Sequence, residues 1–245
     1  YPVFLDKIMQ IKDKVVIITG GASGIGAALA RRLVLEGAQV VIGDVDKKSG
    51  QDLVTELNQN NKIKAIFVFC DVTNFDNLRQ LFDTAQNTFG GIDVVCNNAG
   101  ILPIEFYDQT DNWVKTVGVN LNAVIKGTQL GIEFLKKRGG GVIINTASAA
   151  GFYPWKLFPV YCSTKFGLNK TDKIRVNAIA PGYVNTNMVK NVMSTLVQGV
   201  ERLGYAPIDE VVNAFITIIQ DDKLVGDTII ILKDVPSQIV SKSFL

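Results

Sequence analysis

The sequence predicts an α/β fold: one domain with a doubly wound sheet of about seven mostly parallel strands and helices on both faces. Three observations predict it. Short, almost wholly apolar runs alternate with longer amphipathic ones along most of the 245 residues. The apolar runs are nearly continuous rather than alternating, as strands of a parallel sheet covered on both faces should be. The first run also ends in a glycine cluster that opens directly into an amphipathic stretch. No repeat, low-complexity tract or linker interrupts the pattern, so residues 1–245 read as a single domain.

In order, Lys14–Thr19 (KVVIIT) is apolar enough for a buried strand, and Gly24–Leu35 follows as a helix with Ile25, Leu29 and Leu33 on one face. Gln39–Gly43 (QVVIG) is the second strand and Lys47–Asn58 the second helix. Ile63–Cys70 is the third strand, followed by a helix over Asn74–Phe89, and Ile92–Asn97 is the fourth strand. Asp111–Lys137 contains one long helix with Val114, Val117, Leu121, Val124 and Ile125 on its apolar face. Gly141–Ala147 (GVIINTA), Ile174–Ala178 and Thr228–Leu232 (TIIIL) complete the strands.

Composition narrows the function classes. There are 25 basic and 23 acidic side chains and no basic stripe, which points away from nucleic acid. No apolar run reaches the roughly 18 to 20 residues of a membrane helix. The absence of histidine excludes a Ser-His-Asp triad, a Cys-His pair and an HExxH zinc site. Cys70, Cys96 and Cys162 lie far apart without a CxxC, so no metal is expected and a reducing, cytoplasmic compartment suits the chain. Asp6, Lys7, Lys12, Asp13 and Lys14 break any signal-peptide core near Tyr1.

Thr19-Gly20-Gly21-Ala22-Ser23-Gly24-Ile25-Gly26 joins the first strand to the first helix. Glycines let a pyrophosphate approach the main chain, and a helix N-terminus offers free N–H groups and partial positive charge. The spacing is GxxxGxG rather than GxGxxG, and such a cluster also occurs as a tight structural turn. Its place between strand and helix favours a dinucleotide held by Gly20, Ser23, Gly24, Ile25 and Gly26 in a Rossmann-type fold. Asp44 lies 24 residues after Gly20, at the end of the second strand, where an acid accepts from the adenosine ribose hydroxyls and repels a 2′-phosphate. The turn carries no Arg or Lys and Val45 follows Asp44, so NAD is expected rather than NADP. Pro181 and Gly182 follow the sixth strand, at the end of the sheet where ligands bind in open α/β folds. Val184 and Thr186 behind them are then expected at the nicotinamide carboxamide, although a Pro-Gly turn without function reads the same way.

Further motifs complete a series. Asp71-Val72 follows the third strand, Asn97-Asn98-Ala99-Gly100 the fourth, and Asn120 lies in the long helix. Ser148 stands 13 residues before Tyr161, which opens Tyr161-x-x-x-Lys165. In kind and order this set resembles the short-chain dehydrogenase/reductase family, from about Lys14 to Leu232. Within the family, Pro159–Lys165 (PVYCSTK), Arg175–Thr186 (RVNAIAPGYVNT) and Ile216–Leu232 resemble the NAD-dependent hydroxyprostaglandin dehydrogenase branch. That branch has a glutamine three residues before its tyrosine, where this sequence has Phe158. Between Lys165 and the sixth strand, Phe166–Lys173 is shorter than the full helix of the family. A helix from Tyr161 to about Lys170 rises only about 15 Å, marginal for returning along a strand of about 17–20 Å, so residues are expected to be missing here.

The resemblance implies an oxidoreductase moving a hydride between NAD and a secondary alcohol. Taking the alcohol proton requires a base ionised near neutral pH, and free tyrosine titrates near pH 10. Lys165 is one helical turn from Tyr161 on the same face, and its charge favours the phenolate. The resemblance makes Tyr161 the acid/base, and has Lys165 lower its pKa and hold the nicotinamide ribose. Ser148 would bond the substrate oxygen, and Asn120 would hold a water that relays the proton. Asn97 and Asn98 are placed along the adenosine side, with Asp71, Val72 and Ala99 also at the cofactor. A homodimer is implied, and Cys162 reads as a packing residue.

Apolar side chains surround the expected substrate. Phe152, Tyr153, Trp155, Leu157 and Phe158 lie between Ser148 and Tyr161. Met188, Val192, Leu196 and Val189, Met193, Val197 recur at spacing four in a small lid around residues 187–207. Both stripes suit an apolar pocket, and equally packing or a subunit interface. The expected substrate is a hydrophobic secondary alcohol or ketone, with Lys156 as a partner for a carboxylate on it. A carbonyl reductase of the same family, or an NAD-binding protein acting through interactions, are the other readings.

Overall fold

The structure is a computed structural model that describes residues 9–59, 63–102, 112–152, 159–165 and 174–241. Its strands are β1 (Val15–Thr19), β2 (Gln39–Asp44), β3 (Ala65–Phe69), β4 (Val94–Asn97), β5 (Gly141–Thr146), β6 (Ile174–Pro181), β7 (Thr228–Leu232) and β8 (Val235–Val240). Its α-helices are α1 (Gly24–Leu35), α2 (Lys47–Leu57), α3 (Phe75–Phe89), α4 (Asn112–Val117), α5 (Ala123–Arg138), α6 (Pro159–Thr164), α7 (Asn187–Lys190), α8 (Met193–Leu203) and α9 (Ile208–Gln220). The strands form one sheet in the order β3-β2-β1-β4-β5-β6-β7-β8. All neighbours pair parallel except β7 with β8.

Side chains alternate across a strand, and the two faces of the sheet carry two cores. Val16 and Ile18 pack with Leu29 and Leu33 of α1, Leu53 of α2 and Phe215 of α9. Ile17 faces the other way, into Leu81 and Phe82 of α3 and Leu130 and Phe134 of α5. The strand order reverses between β1 and β4, so the segments leaving these two strands diverge and open a crevice at their carboxyl ends.

Three differences from the sequence reading have physical causes. Beyond the about seven strands expected there is an eighth, β8 (VPSQIV), an exposed antiparallel edge without an apolar run. An edge also tolerates its proline, which has no N–H to donate. Strand β6 continues through Pro181, which pairs with Ile231, so Pro181 ends the strand instead of following it. The long helix is two helices joined by a π turn, Gly118–Asn122. That wider turn rotates the face that follows it, leaving Ile125 40% exposed while Ala123 and Leu130 are buried; Val114, ahead of the turn, is 50% exposed. Helix α9 adds an element the sequence reading did not draw. The short stretch Phe166–Lys173 lies outside the described residues.

Candidate active site

A cavity of about 410 Å³ runs along the carboxyl ends of the strands, over the β1–β4 crevice. Gly20, Gly24, Asp44 and Asp71 line one part of it, and Ser148, Tyr161 and Lys165 another.

The turn after β1 is one that only glycine can make. Gly20 and Gly24 have φ of +62° and +53°. A Cβ on Gly20 would stand 2.8 Å from the Ala99 Cα, and one on Gly26 would stand 2.2 Å from the Gly20 carbonyl oxygen. Ser23 caps α1 without a side-chain hydrogen bond, and no acid occupies the first turn. The helix terminus is therefore open to an anion. Asp44 Oδ2 accepts from the Ala22 N–H and Oδ1 from the Asp46 N–H, both at 3.0 Å. Each carboxylate oxygen keeps a lone pair for a ribose hydroxyl. Lys47 lies 4.8 Å over the Phe69 ring instead of at the cavity wall. Between the two acids, burial and the charges of Asp71 and Asp44 push the Cys70 thiol up to about 12, so it stays protonated.

The two asparagines after β4 part company. Asn98 Nδ2 donates to the Thr19 and Gly20 carbonyls, each at 3.1 Å, and the Asn98 and Ala99 N–H groups donate to Thr19 Oγ1. Asn98 thus braces the glycine turn from within the cavity wall. Asn97 is buried and donates to Asn145 Oδ1 at 2.9 Å, beneath the sheet end. Asn97 and Gly26 are the two expected cofactor residues that do not line the cavity. Adjacent residues at a strand end point to opposite faces, so only one of the pair can face a ligand. The other expected cofactor residues, Ser23, Ile25, Val72, Ala99, Pro181, Gly182, Val184 and Thr186 among them, do line it.

At the other end, Ser148 Oγ accepts from the Ala150 N–H at 3.2 Å and hydrogen-bonds Tyr161. Lys165 is 7% exposed; its Nζ donates to the Thr146 carbonyl at 2.8 Å and lies 5.6 Å from the Tyr161 ring centre. Burial pulls the Lys165 ammonium down to about 8. Burial also raises the Tyr161 phenol above its usual value, against the opposing Ser148 hydrogen bond. The Tyr161 pKa is thus raised overall, and Ser148, not Lys165, supplies the one lowering influence on it. Asn120, buried in the π turn, accepts from the Ile101 N–H and donates to the Ile101 carbonyl. Its Oδ1 and Lys165 Nζ would each lie 3.5 Å from a Cβ placed on Gly100, so the two side chains flank that glycine.

Helices α7 and α8 roof this end. Tyr183, Val189, Val192 and Leu196 form a small buried cluster against Leu102 and Tyr161. Of the two apolar stripes, Met188 and Val197 stay exposed at 38% and 41%, so the buried line runs through Val189, Val192 and Leu196. Helix α8 lies on the Tyr183 ring, where a Cβ on Gly199 would meet the hydroxyl at 2.3 Å. The Thr186 methyl approaches Gly24, at 3.1 Å from a Cβ placed there, and ties the roof to the glycine turn. Tyr153, Trp155, Lys156, Leu157 and Phe158 lie outside the described residues. The sequence reading missed Leu102, Thr146 and Tyr183 as cavity residues. Thr146 had a usable signal, because the period of two puts it on the same side of its chain segment as Ser148.

Among the described residues no cluster of His, Cys, Asp or Glu is arranged to hold a metal, and no helix is long and apolar enough to cross a membrane. The short chain dehydrogenase family pattern matches residues 14–196. The chain is 33% identical to the NAD(+) 15-hydroxyprostaglandin dehydrogenase of Homo sapiens, across 89% of this chain and 90% of that protein. It is 39% identical to the 3beta-hydroxysteroid dehydrogenase 2 of Eggerthella lenta, across 70% of this chain and 71% of that one. A short-chain type dehydrogenase/reductase from Mycobacterium marinum superimposes with a TM-score of 0.83 at 26% identity, covering 92% of this chain and 96% of that one. The alignment with the human protein is 246 positions long yet takes in 89% of this chain, so it includes positions that this chain lacks.

Proposed function

This chain belongs to the short-chain dehydrogenase family, and on that premise we propose that it oxidises a hydrophobic secondary alcohol with NAD. One observation carries the reading: a single cavity joins a glycine-only turn and Asp44 to Ser148, Tyr161 and Lys165. The relatives support it, since one is named for NAD(+) and a hydroxyprostaglandin and another for a hydroxysteroid. Both substrates carry a hydroxyl on a large apolar skeleton.

The glycine turn and the open terminus of α1 hold the pyrophosphate, and Asp44 takes the adenosine ribose hydroxyls. Asp71 and Val72 line the adenosine side, and Pro181, Gly182, Val184 and Thr186 the nicotinamide side. When bound, NAD supplies the acceptor for the hydride leaving the carbinol carbon. Ser148 holds the substrate oxygen. Tyr161, as phenolate, takes the hydroxyl proton. Lys165 steadies that phenolate and holds the nicotinamide ribose. Asn120 fixes the segment carrying Ile101 and Leu102 and holds the water through which the proton reaches solvent. Leu102, Tyr183, Val189 and Leu196 exclude water from the reacting carbon, under the lid formed by α7 and α8. Trp113, Val114 and Ile125, exposed along α4 and α5, support pairing of two copies through these helices.

The test is NADH formation by the purified protein with NAD and a panel of secondary alcohols, from short polar ones to prostaglandins and hydroxysteroids. Turnover confined to the large apolar alcohols is expected. Turnover of the short polar alcohols alone, or of no alcohol while carbonyls are reduced, would overturn the reading.

A further inference from the structure

Thr146 belongs to none of the motifs above, yet its two oxygens are both tied to the site. Its carbonyl accepts from Lys165 Nζ at 2.8 Å, and its hydroxyl donates to Asn98 Oδ1 at 3.3 Å. Asn98 is itself fixed, because its Nδ2 donates to the Thr19 and Gly20 carbonyls. The single hydroxyl proton of Thr146 is thus committed to Asn98, and its lone pairs remain. Thr146 lines the cavity together with Asn98, Ser148, Tyr161 and Lys165.

Lys165 presents the complementary groups. An ammonium has three protons, and one is used on the Thr146 carbonyl. The Lys165 ammonium is held on the carbonyl of the same residue whose hydroxyl is turned to Asn98. A vicinal diol matches such a pair, since each hydroxyl both accepts and donates. The fold does not demand the hydroxyl: Thr146 ends β5, paired with Ile179, and valine has the same branched shape.

We propose that Thr146 Oγ1 accepts a hydrogen bond from the nicotinamide-side ribose of NAD, next to Lys165. This rests on the reading that NAD occupies the cavity with Lys165 at that ribose. Asn98 acts as a positioning residue that turns the Thr146 hydroxyl into an acceptor.

Calorimetric binding of ADP-ribose and of ADP to the unaltered protein, Thr146→Val and Thr146→Ser tests it without turnover. ADP-ribose carries the second ribose and ADP does not. Thr146→Val is expected to weaken ADP-ribose about fivefold, the effect of one ordinary hydrogen bond, while ADP binding is unchanged. Thr146→Ser restores ADP-ribose binding. Equal weakening of both ligands places the effect in the glycine turn, through Asn98, and overturns the proposal, as does unaltered ADP-ribose binding in Thr146→Val. If the unaltered protein binds neither ligand, the dinucleotide reading itself falls and takes this one with it.

Discussion

Asn120 holds Ile101 with both ends of its amide: Oδ1 accepts from the Ile101 N–H and Nδ2 donates to the Ile101 carbonyl, each at 2.8 Å. The clamp joins the π turn to the segment that carries Leu102 into the cavity wall. Asn120→Leu keeps the approximate size and leaves both Ile101 groups unpaired. It is expected to lower stability by about 2 kcal/mol and to lower turnover with it. Urea unfolding reads the first effect, and an unchanged midpoint would contradict the clamp.

Burial, and to a smaller extent Cys162, raise the Tyr161 phenol, and the Ser148 hydrogen bond lowers it. The base is the ionised form, so alcohol oxidation rises with pH as the phenol ionises. Ser148→Ala removes a donor that favours the phenolate, and the tyrosine pKa moves further up. The rising limb of kcat/KM against pH should therefore move to higher pH in this variant. A limb that stays in place or moves down would contradict the assignment.

Asp44, proposed to take the adenosine ribose, presents a carboxylate oriented by two backbone N–H groups. A 2′-phosphate placed there faces a like charge, which costs several kcal/mol. Asp44→Ala is expected to raise the NADP-to-NAD ratio of kcat/KM by about 100-fold. Steady-state kinetics with both nucleotides would show it, and an unchanged ratio would remove Asp44 from this role.

Much of the frame was legible because its pattern is local. Helix α1 and strand β7 keep the bounds read from sequence, since a glycine turn and an isolated TIIIL run admit no other register. The split of the long helix was not legible, because Gly118–Asn122 holds apolar residues at a spacing that serves an α or a π turn alike. Edge strand β8 was hidden for the opposite reason, having no buried face to imprint a pattern. Ser148, Tyr161 and Lys165 could be read by their order, but the choice between Asn97 and Asn98 depends on which face of β4 each side chain leaves. Thr146 shares the period of two with Ser148, which marks its side of the segment, but its partners show only once Asn98 and Lys165 are brought to it.

Gly199 is the point where helix α8, the proposed lid, rests on Tyr183. A methyl group at this position meets the Tyr183 hydroxyl and lifts α8, at a cost of about 1–3 kcal/mol typical of overpacking. Gly199→Ala should raise KM for bulky apolar alcohols and leave the affinity for NADH unchanged. Loss of nucleotide affinity in parallel would mean that the lid serves the cofactor and not the substrate.

Tyr161→Phe asks the most direct question, because it keeps the aromatic ring and deletes only the proposed acid/base. NADH formation from NAD and the best alcohol is measured for both proteins, with NADH binding followed alongside. Turnover should fall by about 10²- to 10⁴-fold, the usual contribution of a positioned acid/base, while NADH binds as before. A phenylalanine variant that turns over at the original rate would contradict the central claim that Tyr161 moves the alcohol proton.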